Sequence, residues 1–194
     1  PKYLPPSIFN RIPVRFNYNE EYYNGSQWQG IPLHGYTNIF NNMLDNKNIN
    51  IKFNSNYDLS KEYKVKYLTI YTGPLDKLFN FKYGELDWRS LKFEKQVLKI
   101  NDYQGNSVIN YPDLKYKFTR IHEPKHLHPE RLSYLSNKTL IIKETPIINN
   151  KEPFYPINDQ KNIRLQKKYQ QLANNLNNFE FGGRLANYAY YDMD

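Results

Sequence analysis

Lys138-Thr139-Leu140-Ile141-Ile142-Lys143-Glu144 reads as extended chain, and it is the last of four such runs. Before it stand residues 86–93 (Leu86-Asp87-Trp88-Arg89-Ser90-Leu91-Lys92-Phe93), 106–111 (Asn106-Ser107-Val108-Ile109-Asn110-Tyr111) and 116–123 (Tyr116-Lys117-Phe118-Thr119-Arg120-Ile121-His122-Glu123). Turn formers separate them: Asn101-Asp102, Gln104-Gly105 and Pro112-Asp113. Strands in succession with few helices between them argue an α+β fold. The expected form is a twisted antiparallel sheet of about six strands, with helices at its ends and edges.

Outward from this stretch, Tyr36, Ile39, Phe40, Met43 and Leu44 share one face of a helix over 36–45. Ile49, Ile51 and Phe53 alternate with Asn50, Lys52 and Asn54, which predicts a half-buried strand. Residues 65–71 predict another, stopped by Thr72-Gly73-Pro74. Pro74 is expected in the first turn of a short helix through Phe79. A helix over 160–176 puts Leu165, Tyr169, Leu172, Ala173 and Leu176 on one face. Phe179-Glu180-Phe181 is a short strand running into Gly182-Gly183-Arg184. Residues 1–30 lack a sustained period and read as irregular.

The chain has 194 residues, enough for one domain or one and a half. It opens Pro-Lys-Tyr-Leu-Pro-Pro, without an initiator Met or a signal peptide, and is expected to be a piece of something longer. No apolar run approaches the ~18 residues of a membrane span. The absence of Cys excludes disulfides, thiolate metal sites and Cys nucleophiles. With 27 Lys and Arg against 19 Asp and Glu, the net charge of +8 favours anionic partners. The basic residues are scattered singly, however, as on an ordinary solvated surface.

His122-Glu123-Pro124-Lys125-His126 matches a zinc motif letter for letter. That chemistry needs both His on one helix face. Pro124 forbids a helix continuing through it and pushes Glu123 toward extended geometry, so no metal site is expected. The eight glycines cannot compose a dinucleotide fingerprint or a P-loop. What remains is Arg11, Arg89, Arg120 and Arg184, each among Tyr or Phe. Arg with aromatics suits diphosphates and flat rings. The plainer reading is surface Arg packing its stem on those rings.

An ordered series of words runs through the chain: Arg11-Ile12-Pro13-Val14-Arg15-Phe16, Gln29-Gly30-Ile31-Pro32, Tyr71-Thr72-Gly73-Pro74-Leu75-Asp76 and Arg89-Ser90-Leu91-Lys92-Phe93-Glu94. It continues with Gln104-Gly105-Asn106, Val108-Ile109-Asn110-Tyr111, Thr119-Arg120-Ile121, Lys125-His126, Tyr155-Pro156, Gly182-Gly183-Arg184-Leu185-Ala186 and Tyr190-Tyr191-Asp192-Met193. This series resembles the UDP-galactopyranose mutase family, and the resemblance spans essentially the whole chain. It implies an isomerase that interconverts UDP-galactopyranose and UDP-galactofuranose for cell-surface polysaccharide synthesis. The implied mechanism is non-redox: the N5 of reduced FAD attacks the anomeric carbon, UDP leaves, and the sugar recloses from a flavin iminium. The family's chain is about twice as long and begins with a Rossmann FAD-binding half, which the resemblance implies is absent here. The implied organisation is 1–30, end of a helical region and mobile substrate loop; 31–181, sheet domain; 182–194, flavin-contacting segment. By itself this portion is expected to retain no FAD and to lack activity.

The resemblance assigns Arg11 and Arg120 as the catalytic pair clamping the diphosphate. Tyr22, Tyr155 and Tyr190 would donate hydroxyls to it, Asn110 would contact the sugar, and Asp192 would lie by sugar and flavin. Arg184, Asp192 and Met193 would contact the cofactor. Arg89 and Glu144 resemble the family's inner charged pair. Implied partners are UDP-galactose, the FAD-binding half of the same chain and a second copy in a homodimer, in the cytoplasm, with no nucleic acid and no membrane span. Departures are Phe118 and Phe154 where Tyr is usual, Trp88 for a Tyr, and His34 for a Gly. On composition alone, a basic, Tyr-rich module binding single-stranded nucleic acid is the alternative.

Overall fold

A computed structural model describes residues 27–131, 136–148 and 152–191. The chain divides into two compact units, Pro1–Ile49 and Asn50–Asp194. The described part of the first contains α1 (Tyr36–Leu44), the helix its periodicity predicts. Gly35 enters it at φ 80, a left-handed conformation that costs glycine little. The apolar face of α1 holds no buried residue.

In the second unit, β2 (Trp88–Leu98) and β5 (Thr139–Ile148) pair antiparallel from Arg89↔Ile148 to Leu98↔Thr139. β4 (Arg120–His122) lines the other side of β5, β3 (Val108–Asn110) lines β4, and β6 (Tyr155–Pro156) lines the other side of β2. The sheet order is therefore β3-β4-β5-β2-β6, antiparallel throughout. This is the α+β architecture expected, with five strands in the sheet. The sixth and seventh form a separate parallel pair, β1 (Thr69–Tyr71) with β7 (Phe179–Phe181). The strand expected over 49–54 does not form. Ile49, Ile51 and Phe53 are exposed, and alternation without a pairing partner gains nothing from extension. Pro74 is the N-cap of α2 (Leu75–Leu78) at ψ 129 and not its first helical residue.

α3 (Gln160–Ala173) starts where the Asp159 side chain accepts from Asn162 N at 2.8 Å, an N-cap bond. Its apolar face presses Tyr169 and Ala173 into a core shared with Leu75, Leu86, Trp88 and Tyr188. α4 (Gly183–Asn187) follows β7 and delivers Tyr188 to that core. The core rings carry polar handles that are satisfied on backbone. Tyr169 Oη donates to Gly84 O at 2.7 Å and accepts from Tyr83 N. Tyr188 Oη donates to Asp87 O at 2.6 Å and accepts from Ile157 N at 3.0 Å. Buried Asp76 accepts from Leu86 N and Lys77 N, which ties α2 to the start of β2. No helix among the described residues is long and apolar enough to cross a membrane.

Tyr188→Phe should cost about 1–3 kcal/mol, because it strips a donor and an acceptor from buried backbone while keeping the ring. Urea denaturation reads this directly, and an unchanged midpoint would contradict it. Asp76 gives a pH signature. Burial, the largest influence, raises its carboxyl pKa despite the two N–H donors. The folded state therefore binds the proton more tightly than the unfolded state. Between the ordinary carboxylate value and the raised one, stability should fall as pH rises. Asp76→Asn removes that titration, so its urea midpoint should vary less with pH across the same window.

Candidate functional site

Antiparallel register puts directly paired residues on the same sheet face. Asn110 pairs with Arg120, Arg120 with Glu144, and Glu144 with Phe93, so one cross-strand row holds all four. Four residues back along β2, Arg89 pairs with Tyr155 and Ile148. An even separation keeps the same face, so the two rows look the same way, about 13 Å apart along the strand. Phe93 lies 6.5 Å ring to ring from His122 and 6.4 Å from Phe154, which adjoins Tyr155.

The row is bonded side chain to side chain. Arg120 Nε donates to Asn110 Oδ1 at 2.8 Å, and Arg120 NH1 lies 3.5 Å from Glu144 Oε1. Glu144 Oε2 meets His122 Nε2 at 2.8 Å. The Glu144 side chain is 7% exposed and that of Arg120 45%, so a buried anion anchors a cation that reaches solvent. Thr119 N donates to the Glu144 carbonyl and fixes the backbone beneath the pair. Arg89 is exposed and shares this face with Glu144, but Glu144 stands opposite Phe93, four residues further along β2.

Beside Tyr155, the segment after α4 adds a second cluster. The rings of Tyr155 and Tyr190 stack at 5.6 Å and 24°. The Arg184 guanidinium lies 4.2 Å over the Tyr190 ring, and its Nε and NH2 donate to Tyr191 O at 2.9 and 2.6 Å. Asn187 Nδ2 donates to Tyr191 Oη. Tyr188 enters this turn at φ 47, an uncommon conformation for a residue with a Cβ. It is held there by its buried hydroxyl bonds.

Of the residues singled out from sequence, the fold puts Asn110, Arg120, Glu144, Arg89 and Tyr155 on one sheet face, with Tyr190 stacked on Tyr155 and Arg184 over Tyr190. Arg11, Tyr22, Asp192 and Met193 lie outside the described residues. Sequence reasoning misses His122 as a partner of this row. Its place two residues after Arg120 in a strand is the available signal, because that spacing keeps one face.

The zinc-like motif is split by the same alternation. His122 turns to Glu144 on one face, whereas Glu123 is fully buried on the other. Glu123 accepts from Tyr103 N, Gln104 N and Thr139 Oγ1. Its backbone is extended at φ −123, and Pro124–Leu127 is a 3-10 turn, so the helix that motif needs is not formed. His126 sits 3.0 Å from Asp102 and 3.5 Å from Glu123. The ligand atoms of these three lie within 4.8 Å of one another, but the donors on Glu123 mark it as a carboxylate tying the 102–105 turn to the sheet.

A family model described as UDP-galactopyranose mutase matches residues 1–190. The chain is 38% identical over 194 residues to a probable UDP-galactopyranose mutase of Klebsiella pneumoniae, with 100% of this chain and 50% of that protein covered. It is 34% identical over 206 residues to the UDP-galactopyranose mutase of Mycoplasma pneumoniae, covering 98% of this chain and 51% of the relative. A dTDP-fucopyranose mutase of Escherichia coli is 34% identical over 205 residues, covering 100% and 52%. The chain spans about half the length of the curated relatives it matches. With nearly every residue inside the family match and the ordered motifs in place, this chain belongs to the UDP-galactopyranose mutase family.

Proposed function

We propose that the whole protein interconverts UDP-galactopyranose and UDP-galactofuranose, and that this chain contributes the sheet face that receives the sugar nucleotide. The observation that carries the reading is the family match over residues 1–190. The bonded row Asn110–Arg120–Glu144, with the Tyr155–Tyr190 stack on its flank, supports it chemically. The family membership argues against the nucleic-acid module.

In this reading the bond from the anomeric carbon to UDP breaks and later re-forms as the sugar ring contracts. Charge therefore develops on the diphosphate, and fixed cations that need no reorganisation stabilise it most. Arg120 suits this role, since its guanidinium is anchored from below and reaches solvent above. Arg11 is proposed as the second cation, and the hydroxyls of Tyr22, Tyr155 and Tyr190 as donors to the phosphate oxygens. Asn110 Oδ1 accepts from Arg120, and its Nδ2 is proposed as the donor to a sugar hydroxyl. Asp192 is proposed beside the sugar.

The residues at 182–191 fit one wall of a flavin site. Gly182 and Gly183 leave open space where a Cβ would stand, and Arg184 with Tyr190 offers a cation and a ring face. Arg184, through its remaining NH1, and the backbone leading past Asp192 to Met193 would hold FAD there. Bound and reduced there, FAD would supply the nucleophile for the anomeric carbon, so no side chain of this chain would have to. The FAD-binding half of the protein and a homodimeric assembly belong to the same reading.

In the full-length enzyme, Arg120→Ala and Arg11→Ala should each lose about 2–5 kcal/mol of transition-state stabilisation, read from kcat/KM. Arg→Lys should recover only part, because a point charge lacks the guanidinium fork. Near-normal turnover in either Ala variant would sink the diphosphate assignment.

A further inference from the structure

Glu144 has two partners, and the proposed function uses only one of them. Its Oε1 faces Arg120 NH1 at 3.5 Å, and its Oε2 holds His122 Nε2 at 2.8 Å. An ionised carboxylate only accepts hydrogen bonds, so His122 carries its proton on Nε2. The imidazole is held edge-on to Phe93, and its side chain is 28% exposed. Arg120 and His122 are two apart in β4, so the same strand supplies both donors that share one carboxylate.

We propose that His122 is a positioning residue for Arg120, holding Glu144 Oε2 so that the carboxylate cannot close both oxygens onto the guanidinium. The inference rests on the reading of Arg120 as a diphosphate ligand. A buried carboxylate without that second donor would turn to the bidentate fork that Arg and carboxylate favour. Such a fork would draw the guanidinium toward the sheet and occupy an edge that a phosphate would otherwise use. With Oε2 engaged by His122, the Glu144 contact to Arg120 stays single and long. Asn110 fixes Nε, and the remaining N–H groups stay on the solvent side.

The test is UDP binding to the full-length protein by titration calorimetry, with thermal midpoints recorded alongside. His122→Phe keeps a ring against Phe93 but removes the donor, and it should weaken UDP binding about tenfold. His122→Gln supplies a neutral donor and should stay within about threefold of wild type. Adding Glu144→Gln to His122→Phe should recover affinity, because a neutral amide no longer competes for the guanidinium. If His122→Phe binds UDP like wild type while Arg120→Ala does not, the positioning role is wrong and the diphosphate reading stands. If Arg120→Ala also binds normally, both fall. Weakened binding that neither Gln substitution restores would mean that His122 only packs, which overturns the proposal.

Discussion

Ten consecutive register pairs between β2 and β5 fix where every described residue of the site row can stand. Arg120 is located only through β4 on β5, and Tyr155 only through β6 on β2. A slip of one residue between β2 and β5 would send one strand's side chains to the opposite face. Glu144 would then leave Phe93, or Arg89 would leave Tyr155. The two faces differ enough to forbid that slip. The opposite one buries Trp88, Ser90, Ile141 and Thr139, where a charged row would be stranded without partners.

What the sequence makes legible follows from how local the cause is. α1 and α3 are readable because their apolar spacing is a property of one segment. The four extended runs are readable from their composition, although their ends are not. β2 continues through Lys95 and Gln96 to Leu98 because β5 is there to pair with it. β4 is shorter than its run because Tyr116 and Phe118 pack with Tyr111 in a ring cluster instead of joining the ladder. β6 is two residues, one of them a proline, and α4 is five residues opened by glycines. Both are set by what they pack against, and neither announces itself.

The site shows the same division. Its residue types are legible as words, since Arg, Asn and Tyr recur in a recognisable order. Its wiring is not. Nothing local tells that His122 and Arg120 share Glu144, because that carboxylate comes from a different strand, distant in sequence. Nor does the sequence say that Arg184 commits two donors to the Tyr191 carbonyl and its plane to Tyr190. Strand parity alone separates His122 from Glu123, and with them the two halves of the zinc-like motif.

The parallel pair has a consequence for how the chain is made. Thr69–Tyr71 meets Phe179–Phe181 across the whole excursion that builds the sheet, α2 and α3. During synthesis β1 therefore leaves the ribosome with no β7 to receive it, and its pairing edge stays open until the last part of this chain is translated. Contacts this distant in sequence form late and slowly, after a large loop has closed. An unpaired edge bearing Ile70 and Tyr71 is in the meantime a surface on which nascent chains can associate wrongly. Tyr57 and Tyr63 stack on each other at 4.4 Å, and Tyr57 meets Tyr71 edge-on. These nearby rings can shelter one side of β1 before its true neighbour exists.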